Sequence, residues 1–159
     1  LPLMGIGQGS LRTTPLQVAR FMSAVATRGT LPAPRLTVAP STPAAQTVRY
    51  DSISDTTWDA IHRGMIDVIS GSRGTARRVR GLAELEVAGK TGTAQTARLR
   101  GGRELNFAWF AGFAPHDNPR YAFAVYVEDT FGSGGATAGP IAEQTLRVLL
   151  ETEQSEGGD

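Results

Sequence analysis

The stretch Glu86-Val87-Ala88-Gly89-Lys90-Thr91-Gly92-Thr93-Ala94-Gln95 decides how the rest of the chain is read. It holds the only lysine of the sequence; the other strongly basic residues are all arginines. An apolar run precedes Lys90, and small, hydroxyl-bearing residues follow it. A cation, two hydroxyls and a glycine that permits close backbone approach suit a site that takes an anionic, extended ligand along a strand edge. A bare Lys-Thr-Gly also suits a surface turn, so the surrounding sequence has to choose.

The 159 residues amount to one domain or part of one. With 40% hydrophobic residues the chain can bury a core, whereas 19 glycines and 9 prolines make it rich in loops. A net charge of +1 points away from nucleic acid and acidic polymers. The absence of cysteine excludes a disulfide framework, a thiol nucleophile and thiolate metal ligands. No run approaches the roughly 18 apolar residues of a membrane span, and Leu1-Pro2-Leu3-Met4-Gly5 is not a secretory signal. The abrupt start reads as the middle of a fold.

Upstream of the lysine, Gly5-Ile6-Gly7-Gln8-Gly9 reads as a tight turn leading to a helix, without the context of a phosphate loop. Thr14 as cap, Pro15 at the first helical position and Gln17 as capping-box partner start that helix. Leu16, Ala19, Met22, Val25 and Ala26 give it a buried face, and Gly29 ends it. Arg12, Arg20 and Arg28 are expected to face solvent. From Leu31 to Tyr50, Pro32, Pro34, Pro40 and Pro43 exclude a helix, and apolar Leu31, Leu36 and Val38 suggest a crossing segment with short extended pieces. A second helix is expected from about Thr56 to Ser70, capped by Ser54 or Asp55, with Trp58, Ile61, Met65, Val68 and Ile69 as its stripe. His62 beside that stripe reads as a partly buried or surface residue, not a ligand. Arg77, Arg78 and Arg80 form a small basic cluster, read as a solvated loop.

Three strands are expected next: Leu85 to Thr96, Asn106 to Ala114, and Tyr121 to Glu128. Phe107, Trp109 and Phe113 alternate with Ala108, Phe110 and Gly112; Tyr121, Phe123, Val125 and Val127 alternate with Ala122, Ala124 and Tyr126. Both faces of the meander should therefore be covered, the alanine face by a closely approaching helix. The links are Ala97 to Glu104 and the turn Pro115-His116-Asp117-Asn118-Pro119, where His116 and Asp117 read as turn chemistry. Phe131 to Ala138 reads as a glycine-rich loop, with Pro140 opening a final helix.

This order of elements, with Lys90-Thr91-Gly92-Thr93 on the first strand, resembles the C-terminal half of the transpeptidase domain of penicillin-binding proteins. The resemblance runs in order over roughly residues 4–150. It includes Gly5-Ile6-Gly7-Gln8-Gly9 with Thr14-Pro15-Leu16-Gln17-Val18-Ala19, then Gly74-Thr75-Ala76 and Ala88 to Gln95. It continues through Ala108-Trp109-Phe110-Ala111-Gly112-Phe113-Ala114-Pro115, Asp117-Asn118-Pro119, Gly134-Gly135-Ala136 and Pro140-Ile141-Ala142. The glycine-spaced opening is most like the monofunctional class B enzymes of cell elongation or division. The resemblance implies an α+β fold, the C-terminal part of the β-lactamase/transpeptidase-like fold, with a three-strand antiparallel meander flanked by helices and completed by sequence upstream. Residues 1–150 would be that half-domain and 151–159 a disordered acidic tail.

The resemblance also implies a mechanism. A serine attacks the carbonyl of D-alanyl-D-alanine in a peptidoglycan stem peptide, the terminal D-alanine leaves, and an amine of a neighbouring strand takes the acyl group. β-Lactams mimic the dipeptide. Carried over, Lys90 is the third-motif lysine, favouring the substrate carboxylate and holding the hydroxyl network. The Thr91 and Thr93 hydroxyls contact that carboxylate, and the Thr93 N–H supplies half of the oxyanion hole. Gly92 lets substrate lie on the strand, and Gln95 is counted with Lys90, Thr91, Gly92 and Thr93 among the substrate-binding residues. No metal or organic cofactor is implied. The expected partners are the stem peptide, β-lactams, the N-terminal part of the same domain and the elongation or division machinery, on the periplasmic side of the inner membrane behind an anchor outside this chain.

The chain departs from the pattern in one respect. Val87 stands three residues before the only lysine, so Ser-x-x-Lys is absent; neither Asn106 nor Asn118 has a serine two residues earlier, so Ser-x-Asn is absent too. The expectation is a fragment that does not acylate alone and is poorly stable alone. Two other readings compete: a non-catalytic docking module of the same fold, and a serine β-lactamase or β-lactam sensor. The intact Lys90 to Gln95 segment speaks against the first, and Ala111-Gly112-Phe113-Ala114-Pro115 with Thr14-Pro15 against the second.

Overall fold

The computed structural model describes residues 12–34 and 47–156. The Gly5 to Gly9 turn, Leu36 and Val38, and Pro40 and Pro43 lie outside the described residues. Helix α1, Pro15–Ala26, starts as its sequence requires: the Gln17 N–H donates to Thr14 Oγ1 at 3.2 Å and the Thr14 N–H to Gln17 Oε1 at 2.8 Å. Such a cap contributes about 0.5–2 kcal/mol. Burial on α1 is confined to its second half, at Met22, Ala24, Val25 and Ala26. Leu16, expected on the buried face, is half-exposed; in the first turn Val18 is the side chain that packs against the core. Gly29 adopts φ +111°, and a Cβ there would collide with the Tyr50 carbonyl oxygen. A small antiparallel pair follows, β1 (Thr30–Leu31) with β2 (Val48–Arg49), matching the expected short extended pieces.

Helix α2, Asp55–Ser70, is capped by Ser54, whose Oγ accepts from the Thr57 N–H at 3.3 Å. Trp58, Met65 and Ile69 are its buried residues, while Ile61 is exposed. His62 is structural: its Nε2 bonds the Val25 carbonyl at 2.8 Å and its ring lies 5.0 Å from that of Phe113. It therefore ties α2 to α1 and to the sheet.

The sheet comprises β3 (Ala88–Arg100), β4 (Arg103–Ala114) and β5 (Tyr121–Thr130), antiparallel in the order β3-β4-β5, so β3 and β5 are its edges. Residues opposite one another share a face, and the register pairs Ala88 with Phe113, Lys90 with Ala111, Gly92 with Trp109 and Thr93 with Ala108. On one face Ala88, Ala111, Phe113, Ala122 and Ala124 pack against Met22, Val25 and Ala26 of α1 and Trp58 and Met65 of α2. The helix expected on the alanine face is thus α1. On the other face Phe110, Phe123, Val125 and Val127 pack with Ile69, Leu82 and the Ala138, Ala142 and Leu146 side chains of helix α4, Gly134–Glu156.

Four boundaries differ from expectation. Residues 85–87 are not strand, because a short helix α3, Gly81–Glu84, precedes them and Glu86 takes φ +51°. The Ala97 to Glu104 link contracts to a turn at Gly101-Gly102, since both residues adopt the positive φ that a tight hairpin needs. The glycine-rich segment is helical from Gly134, leaving Pro140 inside α4. The helix continues to Glu156, past the boundary drawn at 150, with Glu153 ion-paired to Arg120 at 3.1 Å. Apolar surface remains outside both cores, notably Phe21 and Val148.

Phe110 is fully buried at the centre of the α4-side core. Phe110→Ala is expected to lower stability by about 3–5 kcal/mol, and Leu99→Ala, at an exposed position, by less than about 0.5 kcal/mol. Urea unfolding of the two variants checks the contrast.

Candidate active site

Alternation along β3 divides the motif between faces. Lys90 and Gly92 share the α1–α2 side with Ala111 and Trp109, whereas Thr91, Thr93 and Gln95 share the α4 side with Phe110, Ala108 and Asn106. Because β3 is an edge strand, both sets border the same open rim. Lys90 is exposed, and its ammonium donates to the carbonyl of Thr91 at 2.6 Å. It makes no ion pair among the described residues, so its charge stays available to an anion.

The two threonine hydroxyls are held from neighbouring elements. Thr91 Oγ1 lies 2.7 Å from Thr75 Oγ1, in the loop between α2 and α3. Thr93 Oγ1 accepts from the N–H of Gly134, the first residue of α4, at 3.2 Å. A helix start carries partial positive charge, so this contact also favours negative charge beside Thr93. The approach is close enough to require glycine: a Cβ on Gly134 would collide with the Gly92 and Trp109 carbonyl oxygens, and one on Gly135 with that of Thr75. Gly92 is constrained on its other side too. A Cβ there would sit 3.2 Å from the Trp109 Cβ, so the bare backbone serves packing as well as access.

Trp109 begins a partly exposed aromatic row, with ring centroids 4.4 Å from Trp109 to Tyr126 and 5.5 Å from Tyr126 to Phe107. Burial, with help from the Glu128 carboxylate, raises the Tyr126 phenol above its ordinary value. Gln95 is farther along β3 and is engaged across the hairpin, its Nε2 donating to Glu104 Oε2 at 3.3 Å. The structure thus brings Lys90, Thr91, Gly92 and Thr93 together and leaves Gln95 at the margin.

Sequence reading assigned no role to Thr75, Gly134 or Gly135. A hydroxyl in Gly74-Thr75-Ala76, flanked by residues that permit close packing, was the available signal. Beside Thr75 a cleft of about 410 Å³ opens between α2 and the loop, lined by Asp67, Ser72 and Arg73 among others. Arg77, Arg78 and Arg80 are exposed and form no ion pair among the described residues, in keeping with a solvated loop. His116 and Asp117 pair with each other at 2.8 Å at the hairpin tip, where the His116 N–H also donates to the Glu86 carbonyl at 2.8 Å, so both act in the turn. Among the described residues no cluster of acidic and histidine side chains is placed to hold a metal, and no helix is long and apolar enough to cross a membrane.

Comparison with known proteins bears on this geometry. Residues 2–147 match the penicillin binding protein transpeptidase domain. The peptidoglycan D,D-transpeptidase MrdA of Haemophilus influenzae is 33% identical over 164 residues, which cover 92% of this chain and 25% of that protein. The crystal structure of Pseudomonas aeruginosa PBP2 in complex with WCK 5153 is 34% identical with a TM-score of 0.77, covering 93% of this chain and 32% of the other. The PBP2 of Helicobacter pylori, solved as a complex with MreC, is 30% identical with a TM-score of 0.78, covering 94% and 27%. The chain therefore spans about a quarter of the length of the curated relative it matches. The family match over residues 2–147, nearly the whole chain, places this protein in the penicillin-binding protein transpeptidase domain family.

Proposed function

We propose that this chain supplies the Lys-Thr-Gly wall of a peptidoglycan D,D-transpeptidase of the class B type. The observation that carries the reading is the rim itself. An exposed cation, two held hydroxyls and a side-chain-free Gly92 lie in succession on β3, an edge strand of the sheet among the described residues. An extended peptide ending in a carboxylate fits that rim as an added strand. In the proposed reaction a serine outside this sequence attacks the penultimate D-alanine carbonyl. The electrons move onto the carbonyl oxygen, which the Thr93 N–H stabilises as one of two oxyanion donors. Collapse of the tetrahedral adduct expels D-alanine as the amine, and an amine of a neighbouring stem peptide then displaces the enzyme serine.

Lys90 has two tasks in this scheme. Its charge attracts the terminal carboxylate, and its ammonium holds the strand carbonyl beside the hydroxyls. Thr91 and Thr93 donate to the carboxylate, and the start of α4 adds to the positive field there. Gln95 lengthens the edge along which substrate lies. β-Lactams, which resemble the dipeptide, would occupy the same rim.

The chain would work on the periplasmic side of the inner membrane, joined to the rest of the domain that carries Ser-x-x-Lys and Ser-x-Asn. The relative solved with MreC makes the elongation machinery the favoured protein partner.

Two measurements test the reading. In the complete enzyme containing this chain, Lys90→Ala should reduce the second-order rate of acylation by a fluorescent penicillin about 10- to 100-fold, the worth of a charge-assisted hydrogen bond. An unaltered rate would refute the role given to Lys90. When this chain is instead mixed with the separate polypeptide bearing the rest of the domain, covalent label should appear on that partner alone. Label on this chain would overturn the assignment of the nucleophile, and label on neither would favour a docking module.

A further inference from the structure

We propose that Thr75, which lies outside the Lys90-Thr91-Gly92-Thr93 segment, is a positioning residue that presents the Thr91 hydroxyl to the anionic group of the substrate. The proposal rests on the transpeptidase reading above and deepens it. Its starting point is the 2.7 Å separation of the two hydroxyl oxygens, a full-strength O–H···O distance between residues on different elements.

Each hydroxyl has one proton and two lone pairs. In isolation either threonine can donate to the other. Once Thr91 donates its only proton to a carboxylate, the remaining short contact requires Thr75 to donate to Thr91. Anion binding therefore fixes the direction of the pair. It also polarises it, because an oxygen that accepts a hydrogen bond becomes a better donor. Without the Thr75 hydroxyl, Thr91 loses the partner that holds its oxygen and can turn its proton elsewhere.

Thr75 is suited to this task because its backbone is fixed from three sides. The Ala76 N–H donates to the Val68 carbonyl at 3.0 Å, and Ala76 is 1% exposed. Gly74 packs so closely on the end of α2 that a Cβ would collide with the Asp67 and Val68 carbonyl oxygens. Gly135 of α4 lies directly on the Thr75 carbonyl. Both threonines are β-branched and stiff at χ1, so a fixed backbone gives a fixed oxygen. The same α4 start that holds Thr93 through Gly134 thus holds Thr91 indirectly through Thr75. A chance surface pair would have no reason to share that support.

The test uses the complete enzyme and a carboxylate-bearing fluorescent penicillin, with the binding and acylation steps separated by varying its concentration. Thr75→Val, which keeps the shape and removes the hydroxyl, should lower the second-order acylation rate about 5- to 10-fold, mainly through weaker binding. Thr75→Ser, which keeps the oxygen and its proton, should recover most of that loss. In a Thr91→Val background Thr75→Val should cause no further loss, since the two act in series. A Thr75→Val rate equal to that of the parent enzyme would overturn the proposal. So would a loss that Ser does not recover, or one that persists in the Thr91→Val background, either of which indicates loop packing instead. Absence of any labelling of the parent enzyme would overturn the transpeptidase reading itself, and the proposal with it.

Discussion

The backbone of Gly134 rests on Gly92 and Trp109, and that of Gly135 on Thr75, with no Cβ between them. This contact joins three elements that are far apart in sequence: the loop after α2, the edge strand β3 and the start of α4. Its consequence is chemical as well as mechanical. It brings the Gly134 N–H to Thr93 Oγ1 and pins the loop whose Thr75 reaches Thr91. Two side-chain hydroxyls that would otherwise rotate in solvent are held in place. Holding donors before the reaction removes the cost of orienting them during it, which is the main electrostatic advantage of an enzyme site.

The rest of the fold supports that contact from behind. Ala138, Ala142 and Leu146 seat α4 on Phe110, whose ring fills the space beneath Gly89 and is fully buried. Arg147 bridges Glu84 of α3 and Glu143 of α4, each at 3.2 Å. These pairs lie at the surface and contribute little energy, yet they tie the segment before β3 to the helix above it. On the opposite face α1 and α2 cover the alanine side of the sheet, linked by His62 and the Val25 carbonyl. The edge strand is thereby stiffened on both faces, and it stays at the edge of the sheet among the described residues.

What was legible in the sequence is what short-range physics determines. The Thr14–Gln17 capping box spans four residues, and the alternation of Phe107, Trp109 and Phe113 with Ala108, Phe110 and Gly112 predicted their faces correctly. The motif residues on β3 were found because their types are unusual together. The parts that escaped depend on distant partners. Gly134-Gly135 has low helix propensity, roughly 1 kcal/mol per glycine relative to alanine, and reads as a loop until the strand and loop beneath it are known. The α3 turn is too short to show a period. The contact of Thr75 with Thr91 joins residues from two elements that no spacing rule relates, and the tight Gly101-Gly102 hairpin was hidden by an irregular strand with a register shift between Gln95 and Leu99.

The central claim is that an anionic acyl substrate lies along the β3 rim, held by Lys90, Thr91 and Thr93. A crystal structure of the complete enzyme acylated by a penicillin tests this most directly. The account predicts the acyl carbonyl oxygen about 2.7–3.1 Å from the Thr93 nitrogen, with the penicillin carboxylate on the Thr91 and Thr93 hydroxyls. An acyl group whose carbonyl points away from Thr93, or whose carboxylate lies off β3, would contradict it.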